Sequence, residues 1–189
     1  MSYFKSQLPQ SNRVVDCTVA LLEKYLSCKC ERALEEPSTS NPHPVDMWNK
    51  TGSGTTYGYE VKREGRSRQT GNVFFEANGL SAAKACGAQF LWMWIDGAQT
   101  YIDVDLGILI TWLQTQDKYY KANAGDAKRF GYSKANPGWA IPIKVLFEQG
   151  PLKHMNIGDK DGKICKGFGK YFWHEGDETW AAVSRLMSN

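Results

Sequence analysis

The chain has 189 residues, of which 42% are apolar and 23% charged, with 23 Lys and Arg against 20 Asp and Glu and a formal net charge of +3. This balance excludes a disordered or fibrous polymer, and so small a net charge cannot by itself argue for a polyanionic partner. The length suits a single domain over 1–189, with a core over 11–116 and a C-terminal α+β elaboration over 117–189.

From Ser11 to Glu36 there is no Gly or Pro. Ser11 and Asn12 are suitable N-caps, and Val15, Val19, Leu22 and Leu26 recur at helical spacing until Pro37. The pattern predicts an amphipathic helix over this whole stretch. The connector PSTSNPHP, residues 37–44, favours extended backbone and turns. Val45 to Lys50 reads as a short strand, TGSG as a turn, and Thr55 to Arg63 as a second strand rich in β-branched and aromatic residues, so the two form a hairpin.

EGRSRQTG is expected to be a polar flexible loop, and NVFFEA, residues 72–77, a third strand of the same antiparallel run, broken by Asn78-Gly79. Ser81 would cap a short small-residue helix reaching to about Gln89. FLWMWID, residues 90–96, is apolar without interruption, as in a strand buried on both faces, with Trp92 and Trp94 in the core. TYIDVD alternates and predicts another strand, and Leu106 to Gln116 a helix with Asp105 as N-cap. Beyond this, 117–138 is polar, WAIPIKVLFE contains a strand, 150–170 is a Gly/Lys-rich loop region, and Asp177 to Met187 predicts a closing helix. A meander followed by a crossover helix and a buried strand implies an α/β fold with a mixed sheet flanked by helices.

Chemistry is concentrated in the second strand. Period two puts Gly58, Glu60 and Lys62 on one face and Tyr57, Tyr59 and Val61 on the other. The hairpin can bring Asp46 beside Glu60, so two carboxylates and one ammonium converge. Neighbouring carboxylate oxygens repel unless they share a cation, and an oxygen-rich site with open water positions suits Mg²⁺ or Mn²⁺. Such an ion polarises a phosphate and acidifies a bound water, which is the chemistry of phosphodiester hydrolysis.

Asp46, the Glu60-Val61-Lys62 element on the following strand, the leading helix and the helix before a buried strand together resemble the PD-(D/E)xK nuclease superfamily over about residues 11–116. Val45 stands where the family signature has Pro. The resemblance implies a restriction-endonuclease-like fold and a Mg²⁺-dependent deoxyribonuclease. It also implies Asp46 and Glu60 as metal ligands, the Val61 carbonyl as a further ligand, and Lys62 as the catalytic lysine. Some members, including archaeal and phage Holliday-junction resolvases, add an acidic residue from the first helix. Glu23 matches that role, with Asp16 as substitute.

Around this centre, Glu76 shares a strand face with Asn72 and Phe74 and is a candidate ligand or an acceptor for Lys62. Arg63, Arg66 and Arg68 could neutralise phosphates without reading sequence, Gln69, Thr70 and Asn72 could contact phosphate or sugar, and Lys84 could reach the phosphate side. Further basic groups gather at Lys118, Lys121, Lys128 and Arg129, and GKICKGFGKYFW, residues 162–173, combines lysines, glycines and aromatics that could track a backbone and stack on bases. His43, His154 and His174 are scattered and read as structural or exposed.

The expected partner is DNA, double-stranded or branched, with a homodimer required if two strands are to be cut. A junction resolvase, a binding module that has lost hydrolysis, and a protein-directed inhibitor are the alternatives. Five cysteines without paired CxxC spacing read as reduced thiols. The opening MSYFKSQLPQ lacks the apolar run of a signal peptide, and no stretch reaches the roughly 18 apolar residues of a membrane helix, so a cytoplasmic location is expected.

Overall fold

The computed structural model describes residues 14–16, 18–19, 23, 29–33, 40, 45–50, 53–98, 100–123 and 136–151. Most of the 37–44 connector, Lys128, Arg129, the three histidines, the 162–173 segment and the expected closing helix lie outside the described residues. Among those described, no helix is long and apolar enough to cross a membrane.

Two sheets form the mixed α/β core. The larger has the order β1-β2-β3-β5-β6 and is built from Lys29–Arg32 (β1), Met47–Lys50 (β2), Thr56–Glu64 (β3), Ala88–Ile95 (β5) and Thr100–Asp105 (β6). The smaller has the order β4-β8-β7, from Asn72–Glu76 (β4), Tyr120–Asn123 (β7) and Asn136–Pro142 (β8). In the larger sheet β1, β2 and β3 are antiparallel, β3 and β5 run parallel, and β6 returns antiparallel along β5. Among the described residues, helices follow at α1 (Ser67–Thr70), α2 (Ala77–Ala85), α3 (Leu106–Gln114) and α4 (Ile143–Gln149), with a 3-10 turn at Asp117–Tyr119, besides the helical residues of the leading segment.

The first expected element is shorter than its pattern. Val14–Asp16, Thr18, Val19 and Glu23 are helical, but Lys29–Arg32 is a strand. The absence of Gly and Pro permits a helix without requiring one. The alternation in KCER, with Cys30 buried between exposed Lys29 and Glu31, lets this segment cover the edge of β2. Residues 64–71 hold a turn and helix α1 rather than a flexible loop. Glu64 Oε1 accepts the Arg66 N–H at 3.0 Å, and Ser67 Oγ donates to the Glu64 carbonyl while accepting the Gly97 N–H, at 2.7 and 2.8 Å.

β4 does not extend the first meander. It leaves to pair with β8, and β3 takes β5 as its parallel neighbour. Helix α2 begins at Ala77, so Asn78-Gly79 lies in its first turn instead of breaking the chain. The helix 106–116 is realised over Leu106–Gln114, with the Asp105 carboxylate accepting the Ile108 N–H at 2.9 Å.

The main core lies between the larger sheet and the elements packed on one of its faces. Leu91, Met93 and Ile95 of β5 meet Leu80 and Ala83 of α2, Leu109 and Leu113 of α3, and Val73, Phe75 and Ile141 of the smaller sheet. Trp92 and Trp94 alternate to the other face and are also buried, so β5 is covered on both sides. That second face carries Met47 and Tyr59. Arg32, in register with Met47, bonds Asp16 of the leading helix at 2.9 Å, and Val15 and Thr18 of that helix are buried. The leading helix therefore covers the Met47 and Tyr59 side.

Candidate active site at the junction of β2 and β3

Glu60 and Lys62 sit on the core-facing side of β3, in register with Leu91 and Met93 of β5. The pairing of Met47 with Tyr59 sets Asp46 directly across from Glu60, and the Asp46 N–H donates to the Tyr59 carbonyl at 3.0 Å. β2 itself starts only at Met47, one residue later than Asp46. The Asp46 side chain takes over as ladder acceptor, and its Oδ2 receives the Val61 N–H at 2.7 Å. This bond fixes the carboxylate against the Glu60-Val61-Lys62 element.

Glu60 is 3% exposed, and its Oε1 lies 2.7 Å from Lys62 Nζ. Burying a carboxylate costs several kcal/mol unless a cation and hydrogen bonds compensate, and the ion pair supplies the cation. Lys62 retains about a third of its side-chain exposure, so the cluster is not wholly closed off from solvent. Burial, reinforced by the negative charge of Glu60, pushes the Asp46 carboxyl up to about 7, against the Val61 N–H and the charges of Lys62 and Arg32. Burial works against the charged form of Lys62, but Glu60, Asp46 and Glu76 outweigh it and hold the ammonium above its usual range. The site thus carries a firmly protonated amine and a carboxyl that titrates near neutrality.

Glu76, at the end of β4, contributes to that field. Its carboxylate folds over the first turn of α2, where a Cβ at Gly79 would meet Glu76 Cδ at 3.6 Å, a position favoured by the positive end of a helix. The expected additional ligands do not complete a metal cluster. Glu23 is exposed on the leading helix, Asp16 is engaged by Arg32, and among the described residues no group of three or more His, Cys, Asp or Glu side chains could hold a metal ion. Of the expected ligands, Asp46, Glu60 and Val61 are the ones the fold brings together.

The expected phosphate-contacting groups are dispersed. Arg63 points to the face opposite Glu60 and forks the Asp96 carboxylate, with Nε–Oδ1 at 3.2 Å and Nη2–Oδ2 at 3.1 Å, and Asp96 is 1% exposed in its side chain. Arg66, Arg68 and Gln69 are exposed on the turn and helix α1. Asn72 Nδ2 donates to the Thr70 carbonyl at 3.1 Å, which is turn chemistry. Lys84 sends its ammonium toward the start of α3, where a Cβ at Gly107 would lie 3.1 Å from Nζ.

Sequence reasoning missed Arg32, whose charge reaches Asp46, and Asp96, which holds Arg63. The alternation in KCER was the available signal for Arg32. Asp96 had none, because its partner is distant in the chain. No protein-family model matches this chain, and no curated protein is similar to it.

Proposed function

We propose that the chain is a divalent-cation-dependent nuclease of the PD-(D/E)xK type, with a restriction-endonuclease-like core, that hydrolyses DNA phosphodiester bonds as an endonuclease. The observation that carries this reading is the meeting of Asp46, Glu60 and Lys62 on one face across β2 and β3, with Lys62 Nζ 2.7 Å from Glu60. The order of elements supports it: a leading helix, antiparallel β1, β2 and β3, then helix α2 in the crossover to parallel β5.

The donor set fits Mg²⁺ or Mn²⁺. Mg²⁺ is typically held by one or two carboxylates and keeps several waters, and Asp46 and Glu60 are two hard anionic groups in a site not wholly closed off from solvent. The Asp46 carboxyl, lifted to about 7, is about half protonated at neutral pH, and a bound cation would displace that proton. When bound, the ion would acidify a coordinated water and polarise a phosphate oxygen.

Lys62 stays an ammonium in the free protein, so its part is to orient the attacking water and to face negative charge on the phosphate. Glu60 keeps the amine over the site through their ion pair, and the Val61 N–H keeps Asp46 turned inward. One such centre cuts one strand, so cleavage of both strands calls for a second copy of the chain.

The test is incubation of labelled linear duplex, single-stranded and four-way-junction DNA with Mg²⁺ or EDTA, beside the Lys62→Ala protein. Cleavage that needs Mg²⁺, vanishes in EDTA and is lost in the variant is the expected outcome. Binding without turnover would identify a non-catalytic module, and absence of binding at low salt would reject the nuclease reading.

A further inference from the structure

The face of the larger sheet that carries the candidate site continues sideways onto β2 and β1. Trp48 pairs with Gly58 of β3 on one side and with Glu31 of β1 on the other, and Lys50 pairs with Lys29. Directly paired residues share a face, and so do residues two apart in one strand. Lys29, Glu31, Trp48 and Lys50 therefore lie on the same side of the sheet as Glu60 and Lys62. Trp48 is a diagonal neighbour of Glu60, with their backbones about 7–8 Å apart, which is within reach of a large ring.

On this side α2 and α3 pack over β5 and β6, whereas Lys29, Glu31 and Lys50 are exposed, so the part built from β1 and β2 is an open shelf. Trp48 stands between that shelf and the site. It is half-buried and packs partly on the core. Its ring lies against Gly58, where a Cβ would come 3.1 Å from Trp48 Cζ3. The missing side chain thus lets the indole settle onto the sheet. Beyond it, Lys50 Nζ is held by the two Glu31 oxygens at 2.9 and 2.8 Å. A ring fixed along one side and open on the other, followed by cations, is suited to an unpaired base with its adjoining phosphates.

We infer that this shelf of β1 and β2 is a contact surface for single-stranded nucleic acid, with Trp48 stacking on an unpaired base beside the cut and Lys29 and Lys50 meeting the phosphates beyond it. The inference rests on the nuclease reading and narrows its substrate to DNA with an unpaired segment next to the scissile bond. Bases inside a duplex stack on one another and offer no face to a protein ring. Two observations select this occupant. The shelf shares its face with Glu60 and Lys62, so a strand held at the site has it as a continuous path. It also carries two lysines against one acid, which suits a polyanion. A tryptophan that only closes the end of the core predicts different behaviour.

The experiment is fluorescence anisotropy of a labelled oligonucleotide, single-stranded or duplex, titrated in EDTA with the full chain and its Trp48→Leu, Trp48→Phe, Lys29→Ala and Glu31→Gln variants. Thermal melts are run in parallel to establish that each variant is folded. Trp48→Leu keeps apolar bulk on the core but loses the ring, and should weaken single-strand binding about tenfold and duplex binding little, while Trp48→Phe should retain it. Lys29→Ala should flatten the salt dependence of single-strand binding by about 0.7 in log–log slope. Glu31→Gln releases Lys50 and should tighten single-strand binding about threefold. Equal losses for single strand and duplex in Trp48→Leu, or affinity and slope unchanged across the variants, would leave Trp48 as core packing and overturn the inference. If Trp48→Leu does not fold, the variants at exposed Lys29 and Glu31 decide by the same criteria. A parent protein that binds no oligonucleotide at low salt would instead remove the nuclease reading beneath it.

Discussion

Asp46→Asn should stabilise the protein in a pH-dependent way, because the native carboxyl is held in an unfavourable place. Its pKa rises from 3.8 to about 7, with burial as the main cause and Glu60 as the second. Between those values the folded protein holds a proton that the unfolded chain has released, so stability falls as pH rises through the window. At about 1.4 kcal/mol per pKa unit, ionised Asp46 opposes folding by at most about 4 kcal/mol above pH 7 and by under ~1 kcal/mol near pH 4.

The amide removes the charge yet can still accept the Val61 N–H that Asp46 Oδ2 accepts at 2.7 Å, so the backbone contact survives. Urea denaturation of both proteins in EDTA at pH 4.5, 6 and 8.5 measures the difference. The advantage of the substituted protein should grow by about 2–3 kcal/mol across that range, or about 4–12 °C in melting temperature for a chain of this size. Two pH profiles that run parallel would refute the argument that burial beside Glu60 strains this carboxyl. Mg²⁺ at pH 8.5 should restore part of the missing stability to the parent protein and none to Asp46→Asn.

The remaining expectations address other contacts. Lys62→Ala leaves the Glu60 carboxylate, 3% exposed, without its 2.7 Å counter-ion, and should cost about 3–5 kcal/mol in urea denaturation besides abolishing cleavage. Arg63→Ala should cost about 3–5 kcal/mol, because it strands the buried Asp96 carboxylate, while nucleic-acid affinity measured by anisotropy stays within twofold on the order of experimental error. Gly58→Ala would set a Cβ 2.7 Å from the Gly87 carbonyl oxygen, and should cost about 1–3 kcal/mol by thermal melting, since β3 must shift against the turn before β5.

Local pattern was enough wherever an element is decided by its own residues. The alternation of Glu60 and Lys62 with Tyr59 and Val61, the apolar run ending at Ile95, and the Asp105 cap are each written within a few positions, and each is realised. The placement of Asp46 across from Glu60 was also legible, because a hairpin constrains its own register. Other features depended on partners remote in the chain. Lys29–Arg32 becomes a strand because β2 offers an edge, and β4 leaves the meander because β8, more than sixty residues later, supplies its pairing partner. Arg63 faces away from Glu60 by the same period two, and what the chain order hid is that Asp96, over thirty residues later, holds it there.

What the sequence determined by itself was the identity and spacing of the groups able to do chemistry, since period two along one strand is a local property of the backbone. Only the tertiary structure decided their state. How deeply Asp46 is buried, which cations reach it, and which basic residues are already taken by internal carboxylates all depend on desolvation and charge summed over segments that meet only after folding.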